Sequence, residues 1–287
     1  MHYRHSYHAG NFADVFKHVL LCGLVAALNR KDKPWCYVDT HAGAGLYDLS
    51  GEGASRTGEW EGGIGRLRGF GEAAEPLATY LRLVRATNPE DKLRHYPGSP
   101  LLVQGLARAS DRLQLCEKVP AVADELKIVL GRDARVGVHL RDGYEAASLL
   151  PPSEKRGLVL VDPPFERTDE YEAMAEFTLK SSVRFANGIF ALWYPIKNRH
   201  VANGFLRRMG RELTRPALNF EWQTGEEHRP DDAPDAIKKT PMTACGVLVV
   251  NPPFQFEAQM RPVLAVLVKA MAQGTSAGFS SDWIRKE

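Results

Sequence analysis

The chain has 287 residues, 44% of them hydrophobic, which is enough to bury a large core as one domain with an insertion or as two small ones. Its formal net charge is only +2, so composition does not point to nucleic-acid binding and any basic surface has to be local. The four cysteines lie in apolar runs without C-x-x-C spacing, which argues against a disulfide framework or a zinc site and for a reduced, cytoplasmic protein.

A polar, His-rich start leads into an apolar run over 19–28. The run is too short for a membrane span, has no cleavage-like sequence, and predicts a helix packed on a sheet. Asn11 or Asp14 favours its first turn, and 29–32 ends it. His2, His5 and His8 share i, i+3 spacing, but no carboxylate or cysteine completes a ligand set, so no metal is expected. A strand over 35–39 follows and ends at Asp39. The small residues after it, Thr40-His41-Ala42-Gly43-Ala44-Gly45, let a cofactor approach the backbone, as at the first strand of a doubly wound sheet. Asp48 stands where a dinucleotide motif needs its third glycine, which weakens a nicotinamide or flavin reading.

Far more chain separates Gly45 from Glu117 than a simple strand-helix-strand step requires. Helical spacing over 72–86 and a returning helix over 101–108 predict an inserted helical subdomain. The domains are then 1–49 with 96–287 for the main unit, and 50–95 for the insertion. Beyond it, a strand over 112–116 runs into Glu117, a helix spans 120–130, and a strand over 136–140 runs into Asp142-Gly143. A helix over 143–149, the apolar strand 157–161, a helix over 168–182 and a strand over 188–193 complete an alternation that implies a parallel sheet covered on both faces. Later come a helix over 199–211 and strands over 217–222 and 245–250, with a charged, proline-broken exposed loop over 225–239 near the substrate side.

The strand 157–161 ends in Asp162-Pro163-Pro164-Phe165. The prolines stiffen the backbone, fixing the direction of the Asp162 carboxylate and of the carbonyl between them, while Phe165 offers a ring for a planar base. An aromatic amine such as adenine N6 is a poor nucleophile because its lone pair is delocalised. Acceptors aimed at its N–H bonds localise that pair as a methyl group approaches. An acid after the second strand, Glu117, suits a ribose diol; one after the third, Asp142, suits an adenine amine. Each alone is more often a solvated loop carboxylate than a ligand; in series with Asp162 they suggest a cofactor ledge. Asn251-Pro252-Pro253-Phe254 also ends an apolar strand, but the cofactor loop and both acids precede Asp162 by the right strand steps, and only a short tail follows Asn251.

These residues resemble class I S-adenosylmethionine-dependent methyltransferases, with a D-P-P-F form of the motif of amino-group methyltransferases. Tyr3-Arg4-His5-Ser6-Tyr7-His8, Asp14-Val15-Phe16-Lys17-His18, the 39–45 loop, Tyr96-Pro97-Gly98-Ser99-Pro100, Trp193-Tyr194-Pro195 and Asn251-Pro252-Pro253 are similar, from end to end of the chain, to the large-subunit ribosomal RNA adenine-N6 methyltransferase J family. The resemblance implies a Rossmann-like α/β fold, mostly parallel with an antiparallel edge strand, and direct methyl transfer to 23S ribosomal RNA, at the adenine designated 2030. It implies S-adenosylmethionine held by His18, His41, Gly43, Ser99, Glu117, Asp142, Gly143 and Asp162, and Asp162, Pro163 and Phe165 at the reacting amine. Tyr3, Lys17 and Phe165 are then placed at the RNA. Partners follow: naked 23S RNA or an early assembly particle, with no membrane or metal, for a monomeric enzyme. Without the resemblance, His18 and His41 are ordinary hydrogen-bonded residues, and Arg207, Arg208, Arg211 and Arg215 either meet phosphates or form a solvated face. A DNA adenine-N6 or protein-glutamine methyltransferase, or a non-catalytic RNA-binding module, would share much of this pattern.

Overall fold

The computed structural model describes residues 7–71, 73–90, 92–225 and 242–286. Tyr3 and the loop over 226–239 therefore lie outside the described residues. Asn11 caps the first helix, α1 (Phe12–Asn29), by accepting from the Asp14 amide, and Asp14 occupies its first turn. α1 is long and apolar enough to cross a membrane by length and composition, yet most of it is buried inside the protein. It leads to β1 (Cys36–Asp39), buried throughout.

An antiparallel ribbon, β2 (Leu46–Asp48) with β3 (His95–Pro97), brackets the segment that holds α2 (Glu52–Thr57), α3 (Glu59–Gly62), a 3-10 turn at Ile64–Leu67 and α4 (Leu77–Ala86). α4 starts only after Pro76, whose missing N–H suits a helix start. Ile64, Leu67, Leu77, Tyr80, Leu81 and Val84 are buried in the same core as α1, so this segment packs on the main domain.

α5 (Ser99–Leu106), opened by Pro100, returns to β4 (Arg112–Glu117); α6 (Pro120–Leu130), ended by Gly131 at φ +64°, precedes β5 (Val136–Leu140). The expected helix over 143–149 is a 3-10 helix, because the Asp142 side chain takes the Tyr144 amide and tightens the first turn. β6 (Gly157–Val161), α7 (Glu170–Arg184), β7 (Gly188–Pro195), α8 (Arg199–Glu212), β8 (Ala217–Gln223) and β9 (Ala244–Val250) follow.

Two elements are absent from the sequence expectation: α9 (Phe256–Met271) and β10 (Gly278–Arg285). α9 carries an internal Pro262, which argues against a helix, and β10 is a half-exposed edge strand with little apolar alternation. The helix forms because Phe256, Met260, Val263, Leu264, Leu267 and Met271 make one buried stripe.

The sheet order is β10-β8-β9-β7-β6-β1-β4-β5. β5, β4, β1, β6 and β7 are parallel, whereas β9 runs antiparallel to β7 and β8, and β10 antiparallel to β8. The mostly parallel α/β sheet with antiparallel strands toward one edge agrees with the fold expected, and β9 is inserted between β7 and β8. One face packs on α1, α5, α6 and α9; the other packs on α7, α8 and the 3-10 helix. Alternate residues divide between them, Leu158 and Leu160 facing one core and Val159 and Val161 the other.

Leu264 of α9 is fully buried in the core that also holds α1. Leu264→Ala should lower stability by about 2–5 kcal/mol in urea unfolding. A change below 0.5 kcal/mol, the usual surface value, would show that α9 is dispensable to the core.

Candidate active site

β1 is flanked by β4 on one side and β6 on the other, so the chain leaves the first strand in both directions. In doubly wound sheets that switch point opens a crevice at the carboxyl ends of the strands. Four loops emerge there: 39–45 after β1, Glu117–Val119 after β4, Asp142–Gly143 after β5 and Asp162–Phe165 after β6. The Thr40 amide bonds the Leu160 carbonyl at 3.0 Å and the Ala42 amide bonds the Cys116 carbonyl at 2.9 Å, which locks the first loop to both neighbours.

Glu117 is pinned in this ledge. Its two oxygens accept the Gly43 amide at 3.0 Å and the Val119 amide at 2.8 Å, and each retains a lone pair for another donor. Asp142 meets Lys118 at 3.0 Å. Partial burial opposes its ionisation, but the Lys118 and Tyr144 contacts outweigh that and hold its carboxyl below the usual range. Gly143 lies so close to the first loop that a Cβ would come within 2.3 Å of the Thr40 carbonyl and 2.5 Å of the His41 ring. Only glycine brings these two loops together.

Asp39 is the polar hub beneath them. Fully buried, it accepts from the Tyr37 hydroxyl at 2.7 Å, the Ser99 hydroxyl at 2.7 Å and the His41 amide at 3.2 Å. Burial pushes its carboxyl up to about 6, although these hydrogen bonds work in the opposite sense. Burial lowers His41 to about 4, so the ring is neutral at physiological pH; its Nδ1 faces the Thr40 hydroxyl at 2.7 Å and Tyr144 packs edge-on against it. His18, on α1, is buried with Nδ1 2.8 Å from the Tyr96 hydroxyl, which itself meets Tyr80 at 3.1 Å.

The reacting side is built around Lys17. One helical turn past Asp14, its ammonium lies buried, 2.9 Å from Asp14 and 2.6 Å from Asp162. Burial alone would lower its pKa, but the two carboxylates more than reverse this, and the group stays charged. The resemblance placed Lys17 at the RNA; here its direct partner is the Asp162 carboxylate. Trp193, at the end of β7, brings its ring centroid to 5.8 Å from the Lys17 nitrogen and packs edge-to-face with Phe165. Phe165 adopts φ +50° after the two prolines and also packs against Tyr171. Residue spacing did not single out Trp193 as part of the site. The Trp193-Tyr194-Pro195 block, one of those that carry the resemblance, was the available signal.

Other candidates lie apart from this centre. Asn251 has φ +56° and donates to the Gly188 carbonyl at 3.2 Å. Because β9 is antiparallel, Val250 pairs with Phe190 near the start of β7, so Asn251 sits at the end of the sheet opposite Asp162. Phe254 is 84% exposed there. Arg208 is paired with Glu172 and Glu212, while Arg207 and Arg211 are exposed on α8 and Arg215 is half-buried. His8 faces Glu59 at 2.9 Å.

The Asp39 environment sets a pH dependence. A carboxyl raised from 3.8 to about 6 on folding contributes stability that is fully present below pH 3.8 and lost as the pH rises through about 6. The stability of the wild type relative to Asp39→Asn should therefore fall by about 2 kcal/mol between pH 4 and 7 in urea titrations. A pH-independent difference would mean that Asp39 ionises normally.

Comparison with known proteins places this geometry in a family. Residues 32–285 match the family model described as ribosomal RNA large subunit methyltransferase D, RlmJ. Ribosomal RNA large subunit methyltransferase J of Escherichia coli (strain K12) is 38% identical over 286 residues, covering 99% of both chains. The protein of the same name from Haemophilus influenzae is 36% identical over 287 residues, again covering 99% of both. A crystal structure of a Legionella pneumophila protein superposes with a TM-score of 0.84 at 32% identity, covering 96% of this chain and 98% of that one. The chain belongs to the ribosomal RNA large subunit methyltransferase J family.

Proposed function

We propose that this protein transfers a methyl group from S-adenosylmethionine to N6 of an adenine in 23S ribosomal RNA, with Asp162 accepting a hydrogen bond from the target amine. As a member of its family it is an S-adenosylmethionine-dependent methyltransferase of large-subunit ribosomal RNA. The observation that carries the assignment of the reacting amine is the Asp162 carboxylate at the switch point, held on one oxygen by a buried ammonium and followed by Pro163, Pro164 and Phe165.

The residues present fit the cofactor. The Glu117 carboxylate faces the glycine loop with spare lone pairs for a ribose diol, Asp142 stands one strand further on for an adenine amine, and glycine at 143 lets the loops after β1 and β5 close together beside them. His18, His41 and Ser99 would hold the methionine end. When bound, S-adenosylmethionine supplies a methyl group already activated on a sulfonium, so the chain contributes orientation and polarisation of the acceptor. Lys17 neutralises and aims one oxygen of Asp162, leaving the other for an N–H of the base. The Pro163 carbonyl, confined between two prolines, provides a second acceptor; together they localise the lone pair on N6. Phe165, backed by Tyr171 and Trp193, offers the stacking face. Tyr3 and the exposed arginines of α8 contact the RNA. The target is an unpaired adenine in naked RNA or an early particle, since unstacking a paired base costs a few kcal/mol. The enzyme is cytoplasmic and acts as a monomer.

Transfer of labelled methyl groups to 23S RNA, followed by nucleoside analysis, tests this reading; product in DNA or protein but not in RNA would refute it. Asp162→Ala should lower kcat by about 10²–10³-fold, the value of one preorganised partner for developing charge, and Asp162→Asn should retain more activity because its amide oxygen still accepts. Asn251→Ala, at the other end of the sheet, should keep near-normal turnover once folding is controlled. The reverse ranking would place the chemistry at the wrong motif.

Stacking on Phe165 predicts that Phe165→Ala raises KM for RNA by the equivalent of about 1–3 kcal/mol while leaving calorimetric S-adenosylmethionine affinity unchanged. Loss of cofactor affinity alone would remove Phe165 from the base site.

A further inference from the structure

Glu59, the first residue of α3 in the inserted segment, joins a hydrogen-bonded chain that ends at the Asp162 carboxylate. Its carboxylate accepts from the Asn11 side-chain amide at 3.0 Å and faces His8 Nδ1 at 2.9 Å. The Asn11 side-chain oxygen accepts the Asp14 amide at 3.0 Å. Asp14 accepts the Gly10 amide at 3.0 Å on one oxygen and the Lys17 ammonium at 2.9 Å on the other. Lys17 then donates to Asp162 at 2.6 Å. The path from the half-exposed insertion to the buried reacting centre runs through hydrogen bonds except within Asp14, where it passes covalently from the backbone amide to the carboxylate.

The insertion grips the same stretch of backbone at three further points. The Ile64 amide donates to the Gly10 carbonyl at 2.9 Å, and the Thr57 hydroxyl donates to the Tyr7 carbonyl at 2.5 Å. A Cβ on Gly63 would stand 2.2 Å from the Gly10 carbonyl oxygen, so this backbone-to-backbone approach requires glycine. The tied residues here are 7–11, which lead directly into the helical turn carrying Lys17. Glu59 also fixes which way the Asn11 amide points: its NH2 goes to the carboxylate and its oxygen to the helix cap.

We propose that Glu59 is a positioning residue for methyl transfer: acting through Asn11, Asp14 and Lys17 it sets the orientation of Asp162, and the inserted segment exists in part to hold residues 7–11 in register with the reacting site. This rests on the assignment of Asp162 to the target amine. Because small displacements of a reacting geometry are amplified in rate, a relaxed cap should appear in kcat before it appears in cofactor binding.

The test uses the full chain with Glu59→Ala and Glu59→Gln. For Glu59→Ala the expected result is a fall in kcat on 23S RNA of about tenfold per folded, cofactor-saturated enzyme, with S-adenosylmethionine affinity within about twofold of wild type. Glu59→Gln, whose amide oxygen still accepts from Asn11, should recover most of that loss. A purely structural role would lower the thermal midpoint and leave kcat of the folded fraction intact; that outcome, or a glutamine variant as impaired as alanine, overturns the proposal. Crystal structures of wild type and Glu59→Ala give a readout independent of substrate: the Lys17–Asp162 contact should lengthen or break in the variant, and an unchanged contact also overturns the proposal. Should the wild type itself transfer no methyl group to 23S RNA, the functional reading fails, and the crystallographic comparison still decides the positioning.

Discussion

A buried ammonium needs anionic partners, and the site is organised around meeting that need for Lys17. A lone charge in a dry interior costs several kcal/mol, so Lys17 requires carboxylates on both sides. Asp14 comes from its own helix, one turn earlier, and Asp162 from the end of β6. The pairing therefore welds α1 to the sheet at the point where the D-P-P-F turn begins. Removing either acid would leave the buried charge with a single carboxylate partner, which is why the reacting carboxylate is bound up with the stability of its surroundings.

The same demand for partners explains the polar groups beneath the cofactor ledge. Asp39 stays buried because Tyr37, Ser99 and the His41 amide occupy its oxygens, and His18 is anchored by the Tyr96 hydroxyl. Each of these partners arrives from a different element: β1, α5, the loop after β1, and β3. A site assembled this way is held by hydrogen bonds from several elements at once.

Strand direction separates two turns of nearly identical sequence. Asp162-Pro163-Pro164-Phe165 and Asn251-Pro252-Pro253-Phe254 both follow fully buried strands, and both contain a residue with positive φ. β6 is parallel to β1 and delivers its turn to the crevice, whereas β9 runs antiparallel to β7 and delivers its turn beside Gly188 at the far end. Chain order had already favoured the first turn; the reversed strand supplies the spatial reason.

By itself the sequence determined the parallel core of the fold. Strand readings over 35–39, 112–116 and 157–161, alternating with helical segments, imply a parallel sheet covered on both faces, and the acids at the ends of such strands then fall on one edge of the sheet. The D-P-P-F turn and the glycine loop were legible for the same reason, since their backbone requirements are local. α9 and β10 were not, because a proline in a helix and a half-exposed edge strand are tolerated only when tertiary packing supplies the missing stabilisation. Nor could spacing show that Lys17 meets Asp162, that Trp193 lies between Lys17 and Phe165, or that Glu59 reaches Asn11. Those contacts join residues distant in sequence, and side-chain direction at such separations is decided by how helices and strands pack, which only the tertiary structure provides.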